Sequence, residues 1–393
     1  MRGAVLLGTD GPGLRRARFA VVAIFFLNGL ALASWFVRIP AIQGELDLGE
    51  GLLGVALLGA AVGALVSMPL AGALASRFGS RRVVGTTALL LPLSIVLPAL
   101  APGLLSLVPA VAVLGAANGA LDVSMNSQAV AVEKGYGRPI MASFHAAFSF
   151  GGLAGASIGG LVASAGVEPL PHLAAAAALC AAAGAVAYQA LLPASADAAD
   201  EGAPAFARPT RALLGLGVIS FCVLLGEGAM SDWSAVYLDG TLGTGPGFAA
   251  AGYAAFSLAM AFGRLFGDGL AEHIGPVRLV QACGALAAVG LGVALLVGQP
   301  AFALLGFACA GAGFSVVFPA ALSAAGRTED MAAGPALAAV STAGYTGFLV
   351  GPPSIGFVAE LIGLGGALFI VVALSVAIVL SAGAVRNAGG KAK

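Results

Sequence analysis

Charge is scarce in this chain. Asp, Glu, Lys and Arg make up 9% of its 393 residues, where a soluble globular protein carries about 25%, so a water-facing surface of ordinary polarity cannot be assembled from it. The 18 basic and 18 acidic residues cancel, so nothing in the net charge suggests a nucleic-acid partner. Histidine is nearly missing, with three copies, and the four cysteines, Cys180, Cys222, Cys283 and Cys309, stand singly inside apolar runs. Neither a metal-ligand spacing nor a disulfide framework can be drawn from them. A nucleotide-binding glycine loop and a Ser/His/acid set are also lacking, so no cofactor, no metal and no enzymatic activity is expected.

What is abundant is apolar sequence: 60% of the residues are hydrophobic, 59 are glycine, and the mean hydropathy is +1.01. Crossing a hydrocarbon core of about 30 Å takes about 20 apolar residues. Twelve segments qualify: 19–41, 51–75, 83–102, 105–130, 139–165, 169–192, 212–238, 246–270, 277–297, 300–325, 334–361 and 364–385. An all-α integral membrane protein with twelve transmembrane helices follows, monomeric in its bilayer, with glycines serving close helix packing. The longest polar interruption, residues 193–211, is rich in Ala, Pro and acid and reads as a linker between two six-helix bundles, 1–192 and 212–393. The start imitates a cleavable leader, but its apolar run continues past Ala33 through Trp35, Phe36 and Val37, so the first helix is expected to stay.

Basic residues fix the orientation. With the N-terminus inside, every Lys and Arg except Arg38 and Arg264 falls in a cytoplasmic segment, and Glu45, Asp47, Glu50, Glu168, Asp239 and Glu360 fall outside. Both termini are therefore expected in the cytoplasm, with the protein in the cell's inner (plasma) membrane.

The polar residues inside the spans carry the chemistry. Asn118, Asp122 and Asn126 recur at every fourth position of span 4 and project from one helix face. An ionised Asp at a span's centre costs about 2.5–3.5 kcal/mol even on the lenient insertion scale, so this face is turned from lipid toward a bundle interior or a watery cavity. Two readings stand: a transport-site carboxylate, or a protonated Asp bonded to a neighbouring helix for packing. Glu227, flanked by Gly226 and Gly228 in span 7, is the second candidate carboxylate. Asp232 lies nearer the outer surface. Asn28 in span 1 is expected to face the cavity, and His145 stands one turn from Ser149 in span 5. His172 and His273 read as solvated end residues.

The halves repeat. An offset of 196 positions carries Gly151, Gly155 and Gly160 onto Gly347, Gly351 and Gly356, and Leu74, Ala75 and Gly79 onto Leu270, Ala271 and Gly275; Trp35 finds Trp233 at 198. Parallel repeats of this kind place a substrate site at the midplane between halves that rock about it.

After span 2 stands Gly72-Ala73-Leu74-Ala75-Ser76-Arg77-Phe78-Gly79-Ser80-Arg81-Arg82, a tight basic turn that resembles the signature loop of the major facilitator superfamily. The resemblance covers the whole chain and implies two pseudo-symmetric bundles, a small-molecule substrate and alternating access. It also implies a cytoplasmic gate built from Gly72, Arg77, Gly79, Arg81 and Arg82 with Arg264, Asp268 and Glu272 of the second copy. Ser76 replaces the family's usual Asp, and Glu272 holds the matching place in the second copy. Within the family, Leu121-Asp122-Val123-Ser124-Met125-Asn126 resembles the span 4 motif of the fucose and glucose/galactose proton symporters, whose carboxylate takes part in proton coupling and whose Asn contacts sugar. Phe36 stands where that group's first helix carries a carboxylate. Span 5, from Gly151 to Gly160, resembles the Gly-rich motif of drug and proton antiporters, with Ala156 in the place of its Pro. The sequence thus points to proton-coupled movement of a sugar-like solute, with proton-driven export of amphipathic compounds, or a non-transporting sensor on the same fold, as the alternatives.

Overall fold

In lipid, backbone amides must be satisfied within their own segment, which leaves helices as the solution for apolar sequence of this kind. The computed structural model describes residues 12–137, 140–193, 211–328 and 333–387. Most of the 193–211 segment, and Arg2, Arg138, Arg208, Lys391 and Lys393, lie outside the described residues.

The first half holds α1 (Pro12–Phe36), the short α2 (Ile39–Glu45), α3 (Glu50–Phe78), α4 (Ser80–Ser94), α5 (Leu104–Tyr136), α6 (Met141–Ser164) and α7 (Pro169–Tyr188). The second holds α8 (Arg211–Val236), α9 (Pro246–Ile274), α10 (Pro276–Val297), α11 (Pro300–Phe314), α12 (Val317–Gly326), α13 (Ala333–Ala367), α14 (Phe369–Ser381) and α15 (Ala384–Asn387). Among the described residues, 11 helices are long and apolar enough to cross a membrane, and α14 is a shorter apolar one. The twelfth span is completed at Gly363, whose φ of 78° and ψ of 157° break α13, so that 364–367 turns with α14 rather than with the helix before it. Only glycine adopts that conformation without strain.

The duplication is visible in the backbone. Gly79, between α3 and α4, has φ 83° and ψ 141°; Gly275, 196 positions later between α9 and α10, has φ 82° and ψ 151°. Close packing repeats too, since a Cβ at Gly151 would strike the Phe26 carbonyl of α1 and one at Gly347 the Phe221 carbonyl of α8. Such small-residue contacts substitute for the hydrophobic drive that lipid removes. The two bundles meet where α3 packs on α13 and α6 packs on α9.

Arg15, Arg16, Arg18, Arg77, Arg81, Arg82, Arg278 and Arg327 mark one end of the molecule, called here the basic end; Glu45, Asp47, Glu50, Glu168, Asp239 and Glu360 mark the acidic end. At the basic end, buried Gln128 donates to Ser80 Oγ (2.8 Å) and the Leu192 carbonyl (3.3 Å) and accepts the Leu192 N–H (3.1 Å). Glu133 Oε2 caps the start of α6 by accepting the N–H groups of Ile140 (2.7 Å) and Met141 (2.8 Å).

Candidate transport site

Asp122 sits near the middle of α5, and its carboxylate is held from both halves. Oδ1 accepts from Asn126 Nδ2 one turn on (3.2 Å), while Oδ2 accepts from the Tyr345 hydroxyl of α13 (3.2 Å). Four-residue spacing therefore does what it implies along one helix face, and the opposite bundle supplies the other donor. Asn118, on the same face, has a buried Oδ1 without a partner.

The second carboxylate joins the halves differently. Glu227 Oε2 of α8 lies 3.6 Å from Arg264 Nη2 of α9, with side chains 16% and 15% exposed respectively. The same guanidinium reaches across to α6, donating through Nη1 to Ser149 Oγ (2.9 Å) and to the His145 carbonyl (3.4 Å). Both sets, Asp122–Tyr345 and Glu227–Arg264–Ser149, lie where the two bundles face each other and are together called the central cluster. Phe36, where a related group carries an acid, instead sets its ring edge-on against Tyr253 of the other half, at 5.2 Å between centroids. Among the described residues, no three His, Cys, Asp or Glu side chains gather as a metal site.

Several residues fall elsewhere than the sequence suggests. Arg264, expected at the gate, is ten positions before the end of α9, about 15 Å along the axis, and belongs to the central cluster. Asn28, expected to face the cavity, is 2% exposed inside the first bundle, where its Nδ2 donates to Met125 Sδ at 3.6 Å. His145 contributes its backbone carbonyl to Arg264, while its imidazole packs edge-on against buried Phe25 at 5.3 Å. His172, expected in solvent, is 5% exposed and accepts at Nδ1 from Arg38 Nε at 2.9 Å. It lines a cleft of about 270 Å³ between α1, α6 and α7, away from the central cluster.

Arg77 and Arg81 of the expected gate make their contacts within the first half. Arg77 lies over the ring of its neighbour Phe78, and Arg81 over Tyr188 with a bond to the Gln189 carbonyl (3.2 Å). Arg82 and Glu272 are exposed, and Glu272 has no ion pair among the described residues. Gly72 approaches Val123 of α5; the side chain of Asp268 lies outside the described residues. At the acidic end the bundles are tightly apposed, with Gly54 against Pro352 and Gly356, and Gly160 against Gly247.

Tyr345 and Ser149 are the cluster members that residue type and spacing along one helix do not single out. They are 196 positions apart, so they are equivalent positions of the repeat, each meeting a charged side chain of the opposite bundle. That register was available in the sequence.

The sequence model of the Major Facilitator Superfamily matches residues 21–328. An uncharacterised MFS-type transporter of Yersinia pestis is 36% identical over 363 residues, covering 92% of this chain and 94% of its own. Membrane protein MosC of Rhizobium meliloti is 36% identical over 369 residues, covering 93% and 89%. Among solved structures, a mutant form of the nucleoside transporter NupG superposes with a TM-score of 0.74 at 14% identity, covering 94% of this chain and 99% of its own. A bacterial homologue of the human lysosomal transporter Spinster, inward-facing and occupied, gives 0.73 at 15%, covering 96% and 97%. Twelve spans in two related bundles, a polar cluster between them, and relatives of this identity along nearly the whole length lead to one conclusion: the chain belongs to the major facilitator superfamily and is a membrane transporter.

Proposed function

We propose that this transporter moves a small, sugar-like solute across the inner membrane by alternating access, coupled to protons through Asp122. The observation that carries the reading is the 3.2 Å bond from the Tyr345 hydroxyl to Asp122 Oδ2 across the two bundles. Among the described residues Asp122 is held by neutral donors, Tyr345 and Asn126. Hydrogen bonds to an ionised acceptor are about twice as strong as neutral ones, so a proton arriving on Asp122 loosens a tie between the halves and biases which side is open. The Glu227–Arg264–Ser149 chain is the second tie. A solute whose hydroxyl groups bond to Asn118, Asn126 and Arg264 competes with both, which links its binding to the same equilibrium.

The basic end is the cytoplasmic one, both termini lie there, and residues 193–211 form a cytoplasmic linker between bundles 1–192 and 212–393. Arg77, Arg81, Arg82 and Glu272, with Asp268 beside them, are drawn together when that side closes. A tag at Asp200 is expected to react only from the cytoplasm; labelling from outside sinks this orientation.

Proton-driven export of an amphipathic cation is a second reading, favoured by the lack of a cationic partner for Asp122 among the described residues and by the Tyr345–Phe348 ring pair beside it, 6.4 Å between centroids. Counterflow in proteoliposomes, with hydroxylated solutes in one arm and amphipathic cations in the other, decides between them. Exchange of neither kind counts against both.

A further inference from the structure

The first turn of α3 has no cap of its own. Its N-cap is Gly49, at φ −66° and ψ 164°, with no side-chain bond, where Ser, Thr, Asp or Asn ordinarily accepts an N–H from the second or third helical residue. The acceptor comes from the other bundle. Glu360 Oε1, on α13, takes the Gly51 N–H at 3.0 Å, and a carboxylate at a helix N-terminus is further favoured by the helix dipole.

The local sequence makes room for this contact. A Cβ at Gly49 would lie 2.9 Å from Glu360 Oε1, and one at Gly51 2.8 Å. One turn along, a Cβ at Gly54 would lie 2.7 Å from the Pro352 carbonyl, and one at Gly356 2.6 Å from the Glu50 carbonyl. The bundles thus touch backbone to backbone beneath the cap.

The repeat supplies an internal comparison. The offset of 196 carries Gly51 onto Gly247 and Gly356 back onto Gly160, and those two glycines form the matching contact of α9 with α6. At the place of Glu360 stands Ser164, whose hydroxyl turns back to the Leu161 carbonyl at 2.9 Å. The α9 N-cap, Gly245, has no side-chain bond either, and Pro246 follows at the first helical position, with no N–H to satisfy. Of the two related contacts that close the acidic end, one is held by packing and the other by packing plus a charged cap.

We propose that Glu360 is the latch of the acidic end: a detachable cap, lent by the second bundle to the first, that holds this side shut until the halves separate. Both partners can be handed to water, because Glu360 and the N-cap Gly49 are exposed and the charge pattern puts this segment outside the spans. The contact is therefore reversible, and a helix cap of ordinary strength shifts the population ratio about fivefold. The proposal rests on the reading that the two bundles rock against each other.

The test uses the full-length protein in nanodiscs, its native cysteines replaced, with spin labels at Val167 and Val297, exposed residues at the acidic ends of opposite bundles. Glu360→Ala should raise the ratio of separated to closed distances about fivefold. Glu360→Gln, which keeps an acceptor oxygen without the charge, should fall between it and the wild type. Gly51→Ala, which wedges the contact from the other side, should also open it, and Ser164→Ala should change nothing. An unchanged distribution in Glu360→Ala overturns the latch, most clearly if Gly51→Ala opens the same end and so proves the assay responsive. A single distance between these labels in the wild type and in every variant, Asp122→Asn and Gly51→Ala included, would sink the rocking reading together with the latch. Two wild-type populations that Glu360→Ala leaves unmoved would sink the latch alone.

Discussion

Replacing Tyr345 by Phe removes one atom from the interface between the bundles. The ring contact with Phe348 is kept; what goes is the donor to Asp122 Oδ2. A hydrogen bond to a charged acceptor contributes about 1.5–3 kcal/mol. At 3.2 Å this one is longer than the usual O–H···O range, which ends near 3.0 Å, so the low figure, about 1.5 kcal/mol, applies. That corresponds to about a tenfold loss in the weight of the conformer closed at the acidic end. A double-mutant cycle isolates the pair: Tyr345→Phe, Asp122→Asn and both together, with the inter-bundle distance distribution as the readout. Coupling of about 1.5 kcal/mol is expected if the carboxylate is ionised in this conformer. Additivity to within about 0.5 kcal/mol would mean that the two residues act independently, and the bond would then carry no energy worth the name.

Arg264→Lys should lower transport about tenfold while leaving the fold intact, because a single ammonium cannot hold Glu227 and Ser149 at once as the guanidinium fork does; transport and thermal unfolding measured on one preparation check this. Gln128→Ala should destabilise the first bundle by about 2 kcal/mol, since it strips the Leu192 N–H and carbonyl of their buried partner, which appears as a lowered unfolding temperature in detergent. Gly63→Leu should cost about 2–3 kcal/mol by forcing α3 from the Ala112 carbonyl of α5; an unfolding temperature equal to the wild type would show that these helices part easily.

The twelve spans and their repeat were legible because the cost of exposing backbone and charge to lipid leaves the sequence few ways to be written. The same cost exposed Asp122: a carboxylate in mid-span with amides on its face has to meet something, and its neighbour one turn on, Asn126, could be read from spacing alone. Its partner across the interface could not, since periodicity gives the face of a helix and not the helix that faces it. Asn28 illustrates the limit, having the right residue type and depth yet facing Met125 within its own bundle. Arg264 departs from its expected place because α9 runs on to Ile274 and leaves the guanidinium deep inside. His172 departs from its expected place because its partner Arg38 is 134 positions away in the chain and no local pattern brings the two together.

The central claim is that the charge of Asp122 couples protons to transport, and the most direct measurement is Asp122→Asn in proteoliposomes, assayed in two ways on the same vesicles. Asn keeps the size and the hydrogen-bonding capacity of the side chain but fixes it neutral. The account predicts that counterflow, which needs only binding and rocking, survives, while uphill accumulation driven by a pH gradient is lost. Uphill accumulation at the wild-type level would contradict it, leave Asp122 as a packing residue held by Tyr345 and Asn126, and move the coupling role to Glu227.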